Sequence, residues 1–242
     1  MSATARHAHS VARDRGGLYV IADWWPDGGG VMAWMDPMGS GSIRADGLPL
    51  YDFDVDGGRR RLTTSMLTYP AWLATSRPHD EVALIAGGDR ELTGANKHVV
   101  VCAPRHCRSI PQPKNLVSFD PTWTTSGRLA VVRDRAIPAT DNNGGFGPAF
   151  SDRVDGSGGI DIVRGAKADP IAGGDGATAP LWGRDGSILM VRNHAVWLRP
   201  TGEAAARRIA GPVDAAGPFN QADPYYGFVN WRDSFAWTAA SR

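Results

Sequence analysis

The chain is poor in the residues that build helices. Three of its 242 residues are Lys and three are Glu, although 23 are Arg and 22 are Asp. Because Lys and Glu favour helices, their scarcity disfavours a helical protein. The 30 Gly and 17 Pro indicate many turns, and the nine Trp argue against disorder. The composition therefore predicts one compact, turn-rich domain that is rich in β-structure.

A strong net charge and long apolar runs are also missing. The formal net charge is +1 and the pI is about 7.9, so no field of one sign attracts nucleic acid or an anionic membrane surface. No apolar run approaches the roughly 20 residues that span a bilayer. Residues 1–16 hold Arg6, Arg13 and Arg15 but no apolar core of a signal peptide. We interpret them as a disordered tail before a single domain at 17–242.

Cysteine occurs only twice, at Cys102 and Cys107, with Pro104 among the four residues between them. If the flanking segments are paired strands, the two residues face each other across this loop and can accept a disulfide. The alternative is two free thiols in a cytosolic protein. A disulfide favours an exported or cell-envelope location, although no signal peptide is recognisable. Zinc needs four ligands, and only His98 and His106 lie nearby.

The common catalytic motifs are absent. The chain contains no Gly-x-Ser-x-Gly, His-Glu-x-x-His, phosphate-binding loop or Cys-x-x-Cys. Gly145-Phe-Gly147 begins like a dinucleotide-binding motif, but Phe150 replaces the third Gly. With three Glu, a glycosidase pair would need Asp partners. The sequence therefore predicts no catalytic residue, no metal site and no cofactor.

One string resembles a calcium loop. Asp52, Asp54 and Asp56-Gly57 copy the first half of an EF-hand, but the twelfth position is Thr63 where that motif has Glu. The same residues also fit a strand whose apolar positions at 51, 53 and 55 alternate with the carboxylates. We favour the solvated strand leading into a turn over calcium binding.

A repeated pattern organises the chain. A Trp followed by a polar turn and a short apolar run recurs at Trp25, Trp72, Trp123, Trp182 and Trp231, at spacings of 47, 51, 59 and 49 residues. Such a period is close to one propeller blade. Pro precedes three of these Trp by two residues and would set φ where the strand starts. We predict that the five Trp are structural anchors of the blades.

Hairpins are predicted between the anchors. An apolar strand, a Gly-containing or Asp-containing turn and a strand that is often Arg-rich follow each other at 48–64, 98–110, 160–172 and 194–210. Each repeat then contains four short strands, as in a propeller blade. The segment 204–208 could be helical by composition, but its register matches a fourth strand.

Together these motifs resemble the TolB-like β-propeller repeat. The pattern Pro-x-Trp-x-x-Asp-Gly, an apolar strand, Asp-x-Asp-Gly and Arg-Arg-Leu-Thr extends over 17–238 apart from one insertion. The best copies of the pattern are residues 25–63 and 180–209. The sequence departs from the pattern at 72–80 and after Asp233. The resemblance implies six blades in the usual case and protein binding more often than catalysis.

The predicted fold is therefore an all-β propeller of four-stranded antiparallel blades. About five blades are visible, which we interpret as an incomplete six-bladed ring. Open edge strands would then be covered by a partner or by a second copy. The predicted function is a non-catalytic scaffold that binds a protein or peptide. The alternative is a propeller enzyme or accessory of the peptidase-gating, lyase, lactonase or glycosidase type.

Two segments are candidates for binding. The insertion at 137–159 interrupts the repeat and offers Phe146, Phe150 and Asp152, since insertions in repeat folds often carry the binding face. Its alternative is a flexible solvent loop. Tyr225 and Tyr226 would suit a recognition surface, and packing between blades is equally compatible with them.

Overall fold

The computed structural model describes residues 17–36, 47–66, 68, 72–76, 78–87, 96–136, 158–164 and 167–213. Within these ranges the regular structure is sixteen strands in four sheets of four strands each. No helix in the described part of the chain is long and apolar enough to cross a membrane.

Each sheet is one blade, named by its order in the chain. The first blade holds β1 (Leu18–Trp24), β2 (Gly30–Asp36), β3 (Leu48–Asp54) and β4 (Arg59–Met66). The second holds β5 (Leu73–Ser76), β6 (Glu81–Ala86), β7 (His98–Ala103) and β8 (His106–Ser109). The third holds β9 (Leu116–Trp123), β10 (Leu129–Arg135), β11 (Gly159–Arg164) and β12 (Lys167–Asp175). The fourth holds β13 (Thr178–Trp182), β14 (Ile188–Arg192), β15 (Ala195–Arg199) and β16 (Arg207–Ala210).

Every blade is an antiparallel meander in chain order. The four predicted hairpins correspond to the third and fourth strands of the four blades, which confirms the fold class. The segment 204–208 is not helical, and its strand begins at Arg207. The second strands of the last three blades are almost wholly buried, because they lie inside the sheet with apolar neighbours on both faces.

The meander gives each blade two different ends. At the turn end, first strands join second strands and third strands join fourth strands, through turns such as 124–128 and 183–187. At the connection end, second strands join third strands through residues 37–47, 87–97, 136–158 and 193–194. The insertion predicted at 137–159 therefore starts and finishes at the connection end of the third blade.

The blades pack through their first strands. β5 contacts β9, and β9 contacts β13, whereas the first and second blades meet through β4 and β6. Fully buried side chains fill the space within and between the blades, among them Trp72, Phe119, Leu84, Ile160 and Ile188. These apolar residues form one continuous core.

The Pro that recurs two residues before a Trp does not start a strand as predicted. Pro121 and Pro180 lie inside β9 and β13, at irregularities of the ladder, and do not start those strands. The residue before each has a positive φ, 46° at Asp120 and 50° at Ala179. A first strand has a free edge in its own sheet, so the missing N–H of Pro is tolerated there.

Three of the predicted anchors lie at or next to the ends of first strands. Trp123 and Trp182 end the first strands of their blades. In the first blade that position belongs to Trp24, because the turn begins at Trp25, whose N–H donates to the Gly30 carbonyl at 3.0 Å. Trp25 is 4% exposed and Trp24 is 62% exposed. The neighbour that the pattern selected is thus the buried one.

Trp72 lies just before β5 and is fully buried. The departure from the repeat at 72–80 explains this position, since β5 continues past the Trp to Ser76 before the chain turns. Trp231, the fifth anchor, lies outside the described residues.

The cysteines lie opposite each other at the tip of the β7–β8 hairpin. Cys102 pairs with Cys107 in the ladder, and Ala103 pairs with His106, so the turn has two residues where four were expected. The two Sγ atoms are 2.10 Å apart. This geometry is compatible with the predicted disulfide.

Candidate functional site: a groove between the third and fourth blades

A groove with a volume of about 490 Å³ opens at the turn end between the third and fourth blades. Its third-blade wall is made by the turn 124–128 and by the facing ends of β11 and β12. Its fourth-blade wall is made by Trp182, the turn that follows it, Arg199 and Thr201. We call this feature the cationic groove, for the reasons given below.

Hydroxyl groups arrange the third-blade wall. The backbone N–H of Arg128 donates to Thr124 Oγ1 at 3.0 Å, and the Arg128 Nε donates to Ser126 Oγ at 3.3 Å. The Thr124 and Ser126 hydroxyls also lie 3.0 Å apart. This turn therefore holds an exposed guanidinium at the rim of the groove without a carboxylate bonded to it in the described part of the chain.

The carboxylate of Asp185 is committed to its own turn. It accepts hydrogen bonds from the backbone N–H of Ser187 at 3.0 Å and from the Ser187 hydroxyl. These two bonds lower the pKa of Asp185, so it is ionised. Thr201 donates to the Asp185 carbonyl and ties the two turns of the fourth blade together.

Arg199 crosses from the fourth blade to the third. Its Nη1 donates to the Ala172 carbonyl at 3.0 Å, while its buried Nε has no hydrogen-bond partner among the described residues. Burial lowers the pKa of Arg199, and no carboxylate opposes that effect. The buried Nε1 of Trp182 also lacks a partner within the same ranges. A buried donor without an acceptor costs roughly 1–3 kcal/mol.

The side chains that line the groove carry more positive than negative charge. Arg128, Arg164 and Arg199 line it together with Asp169 and Asp185. Arg164 and Asp169 form an exposed ion pair at 3.2 Å, and Asp185 is bonded as described above. The guanidinium groups of Arg128 and Arg199 remain without a bonded carboxylate in the described chain, and the groove is therefore cationic.

The inner side of the same junction is closed by a buried carboxylate. Asp120 Oδ2 accepts from the Thr178 hydroxyl at 3.1 Å and from the backbone N–H of Ala179 at 3.2 Å. Asp120 is 1% exposed. Because these bonds join β9 to β13, the two blades are held at their first strands while the groove stays open farther out.

A second groove of about 450 Å³ lies between the first and second blades. Hydroxyl and apolar side chains make up most of its wall, and Arg61 is the one arginine among the described residues that line it. We call it the control groove. Its similar size makes it a natural control for the cationic groove.

The calcium-like string takes part in ordinary strand and turn contacts. Asp54 Oδ1 accepts from the backbone N–H groups of Asp56 at 2.8 Å and Gly58 at 2.9 Å, which closes the β3–β4 turn. Asp52 pairs with Arg60 at 3.3 Å. The alternation ends with the strand, and Val55 is exposed in the turn. The described ranges contain no group of three or more residues suited to a metal ion.

The predicted binding residues lie elsewhere. Phe146, Phe150, Asp152, Tyr225 and Tyr226 are all outside the described residues. The strand ends that the insertion joins, Arg135 of β10 and Gly159 of β11, lie at the connection end, opposite the cationic groove. Sequence reasoning missed the groove itself, although the turn after each Trp and the Arg-rich strands were signals for two of its walls.

Neither family models nor curated proteins match this sequence. Solved structures do resemble its fold. TolB of Acinetobacter baumannii shares 15% identity with a TM-score of 0.40, over 77% of this chain and 39% of that one. A puromycin-hydrolyzing peptidase of Mycobacterium tuberculosis shares 16% with a TM-score of 0.50, over 80% and 30%. An oligogalacturonate lyase in complex with manganese shares 12% with a TM-score of 0.50, over 80% and 53%.

The protein has the fold of a β-propeller with four-stranded blades. The four meandering sheets and the two structures with TM-scores of 0.50 support this assignment. The expected β-propeller fold is thus confirmed. The chain spans about a third to a half of the length of the structures it matches, and identities this low carry the fold alone.

Proposed function

We propose that this chain is a non-catalytic propeller that binds a protein or peptide partner in the cationic groove. The observation that carries the proposal is the pair of buried donors, Trp182 Nε1 and Arg199 Nε, that lack acceptors at the groove wall. An extended peptide presents carbonyl oxygens, which are such acceptors. Pro170 and Ile171 offer apolar contact in the same wall.

Filling the groove tests this proposal. Thr125 is exposed, and its hydroxyl lies 3.8 Å from where a Cβ on Gly186 would stand, so it faces the opposite wall. Thr125→Trp should reduce binding of a panel of fluorescent peptides, measured by anisotropy. Thr64→Trp in the control groove is the matched control. Equal binding by both variants and the parent chain would remove the groove from the function.

The alternative function is a propeller enzyme or an enzyme accessory. Two of the similar structures are a peptidase and a lyase by name, and these activities belong to those longer chains. Turnover assays on peptides, lactones and oligogalacturonate, with and without manganese, separate the two functions. Turnover that Thr125→Trp abolishes would replace the scaffold proposal.

We also propose that a second copy covers the outward side of β1. Ile21 and Trp24 are 69% and 62% exposed, and the ladder irregularity between Ile21 and Asp23 places both on one face of this strand; neighbouring exposed apolar side chains mark an interaction surface. Light scattering after size-exclusion chromatography should show a dimer that Ile21→Arg dissociates. A monomeric parent chain would contradict this assignment.

The binding role of the insertion stays a prediction, as does that of the paired Tyr. Deleting 140–156, or replacing Phe146, Phe150 and Asp152 with Ser, should weaken partner binding if the insertion takes part. Tyr225 and Tyr226 are tested by the same assay. An exported or cell-envelope location also stays a prediction, to be checked by fractionating cells that express the native gene.

A further inference from the structure

We infer that the ligand of the cationic groove is an acidic peptide segment, whose Asp or Glu carboxylate lies against Arg199 and Arg128. This inference rests on the proposed function and narrows it from peptides in general to acidic ones. Three features of the groove carry it: the free edge of Arg199, the surplus of guanidinium groups and the apolar part of the wall.

Arg199 presents one edge that suits a carboxylate. Its Nη1 is bonded to the Ala172 carbonyl, whereas its Nε has no acceptor within the described residues. In a guanidinium the Nε–H and one Nη2 N–H point the same way, and this edge binds the two oxygens of a carboxylate in parallel. The Nη1 bond fixes the group so that this edge is the one left over.

The Nε of Arg199 is covered in the free protein. An entering carboxylate therefore has to displace the atoms that cover the Nε, while the Nη1 bond to the Ala172 carbonyl is kept. Lys in its place would keep the positive charge but lose the two-pronged edge. The substitution Arg199→Lys thus separates recognition by shape from recognition by charge.

Neighbouring carboxylates do not compete for this position. Asp169 is paired with Arg164, and Asp185 is held by Ser187. Arg128 is exposed, and its Nε donates to the Ser126 hydroxyl, which carries no charge. Two guanidinium groups are consequently available to an anion from outside, one fixed at the junction and one at the rim.

The apolar part of the wall favours a peptide over a free inorganic anion. Ile162, Pro170, Ile171 and Trp182 line the same groove as the arginines. Such a surface packs against the methylene groups of a Glu side chain and the backbone around it. Phosphate offers no apolar atoms to this wall, and a sugar acid offers mostly hydroxyl groups.

Anisotropy with labelled hexaglutamate and hexaglutamine peptides tests the inference on the whole chain. The hexaglutamate peptide should bind about tenfold more tightly at low salt, and added salt should weaken its binding. Arg128→Gln and Arg199→Lys should each weaken it about fivefold. Arg61→Gln in the control groove removes one exposed arginine that does not line the cationic groove, so it should not change hexaglutamate binding.

Each other outcome overturns the inference. Equal affinity for the two peptides would leave peptide binding intact but refute the acidic preference, and binding of no peptide would refute both. A loss with Arg61→Gln equal to that with Arg128→Gln would mean nonspecific attraction. Displacement of hexaglutamate by inorganic phosphate or trigalacturonate at equal carboxylate or phosphate concentration would assign the groove to free anions. Circular dichroism of every variant confirms that it is folded.

Discussion

Arg60 and Arg199 perform the same task at two junctions. Arg60 donates to the Ala103 carbonyl of the second blade at 3.1 Å, and Arg199 donates to the Ala172 carbonyl of the third blade at 3.0 Å. Arg60 also pairs with Asp52 and lies 5.7 Å from the Trp25 ring centre. Arg199 has no carboxylate partner in the described chain. Both guanidinium groups have buried nitrogens without an acceptor among the described residues, Nε and Nη1 in Arg60 and Nε in Arg199, so the carboxylate partner is what distinguishes them.

The electrostatics of the two junctions support this comparison. Burial raises the pKa of Asp52, and Arg60 opposes that rise. At Arg199 burial lowers the pKa with no charge to oppose it. Removing one partner of a half-buried ion pair leaves the other charge uncompensated, whereas removing an unpaired charge does not, so substitutions of Arg60 and Arg199 should affect stability differently.

We expect the largest effect on stability at Asp120. If Arg199 is not needed to hold the third and fourth blades together, the bonds of Asp120 between β9 and β13 must do so. Asp120→Ala removes the acceptor of two buried donors and places Ala at a φ of 46°. The free energy of unfolding should fall by about 3 kcal/mol. Asp120→Asn keeps an acceptor and tolerates this φ, so it should lose less. Urea unfolding measures both, and a loss below about 1 kcal/mol with Ala would contradict this account.

Removing Arg60 should have the next largest effect. Arg60→Met deletes the bond to the Ala103 carbonyl and leaves Asp52 partly buried without its partner. Because the side chains of this pair keep some contact with water, we expect a loss of about 2 kcal/mol in the free energy of unfolding. The double variant Arg60→Met with Asp52→Asn should recover part of it in the same assay. No recovery would mean that the ion pair between Arg60 and Asp52 contributes nothing to the free energy of unfolding.

Removing Arg199 should change stability least. Arg199→Met deletes one hydrogen bond but also removes an uncompensated charge, so the free energy of unfolding should stay within about 1 kcal/mol of the parent value. Hexaglutamate binding should nevertheless be lost. Destabilisation equal to that of Arg60→Met would show that Arg199 is a structural residue like its counterpart.

The dependence on pH distinguishes the two arginines further. Since the folded pKa of Asp52 is raised above its unfolded value of 3.8, this carboxyl makes the free energy of unfolding fall as the pH rises from 3.8 through the folded pKa. Arg60→Met removes the opposing charge and should steepen that fall. Arg199→Met should leave the slope unchanged. Urea unfolding at several pH values above 3.8 measures these slopes. Equal slopes for Arg60→Met and the parent chain would contradict the prediction.

Local patterns were enough to predict the blades. Alternating apolar residues, Asp-Gly turns and recurring Trp are short-range signals, and each blade is a meander of neighbouring strands. Even so, the pattern selected Trp25 where the strand ends at Trp24, because the turn is defined by the bond from the Trp25 N–H to the Gly30 carbonyl. The pattern also predicts Pro121 at the start of a strand. It lies instead at a ladder irregularity, which depends on the partner strand and not on the local sequence.

The cationic groove could not be predicted in this way. Arg128, Asp169 and Arg199 are far apart in the chain and meet only because the third and fourth blades pack side by side. One of the two binding candidates in the sequence, the insertion at 137–159, joins strand ends at the connection end. Nothing in the spacing of Arg residues reveals which of them has a carboxylate partner.

The scarcity of Lys and Glu, the turn residues and the Trp period by themselves determined a propeller of four-stranded blades, because hairpins between adjacent strands require only local sequence. Tertiary structure alone decided that Arg60 has a carboxylate partner and Arg199 has none, and that Trp182 Nε1 has no acceptor in the described chain. Compensation of a buried charge depends on distances between blades, and those distances arise only when the blades pack.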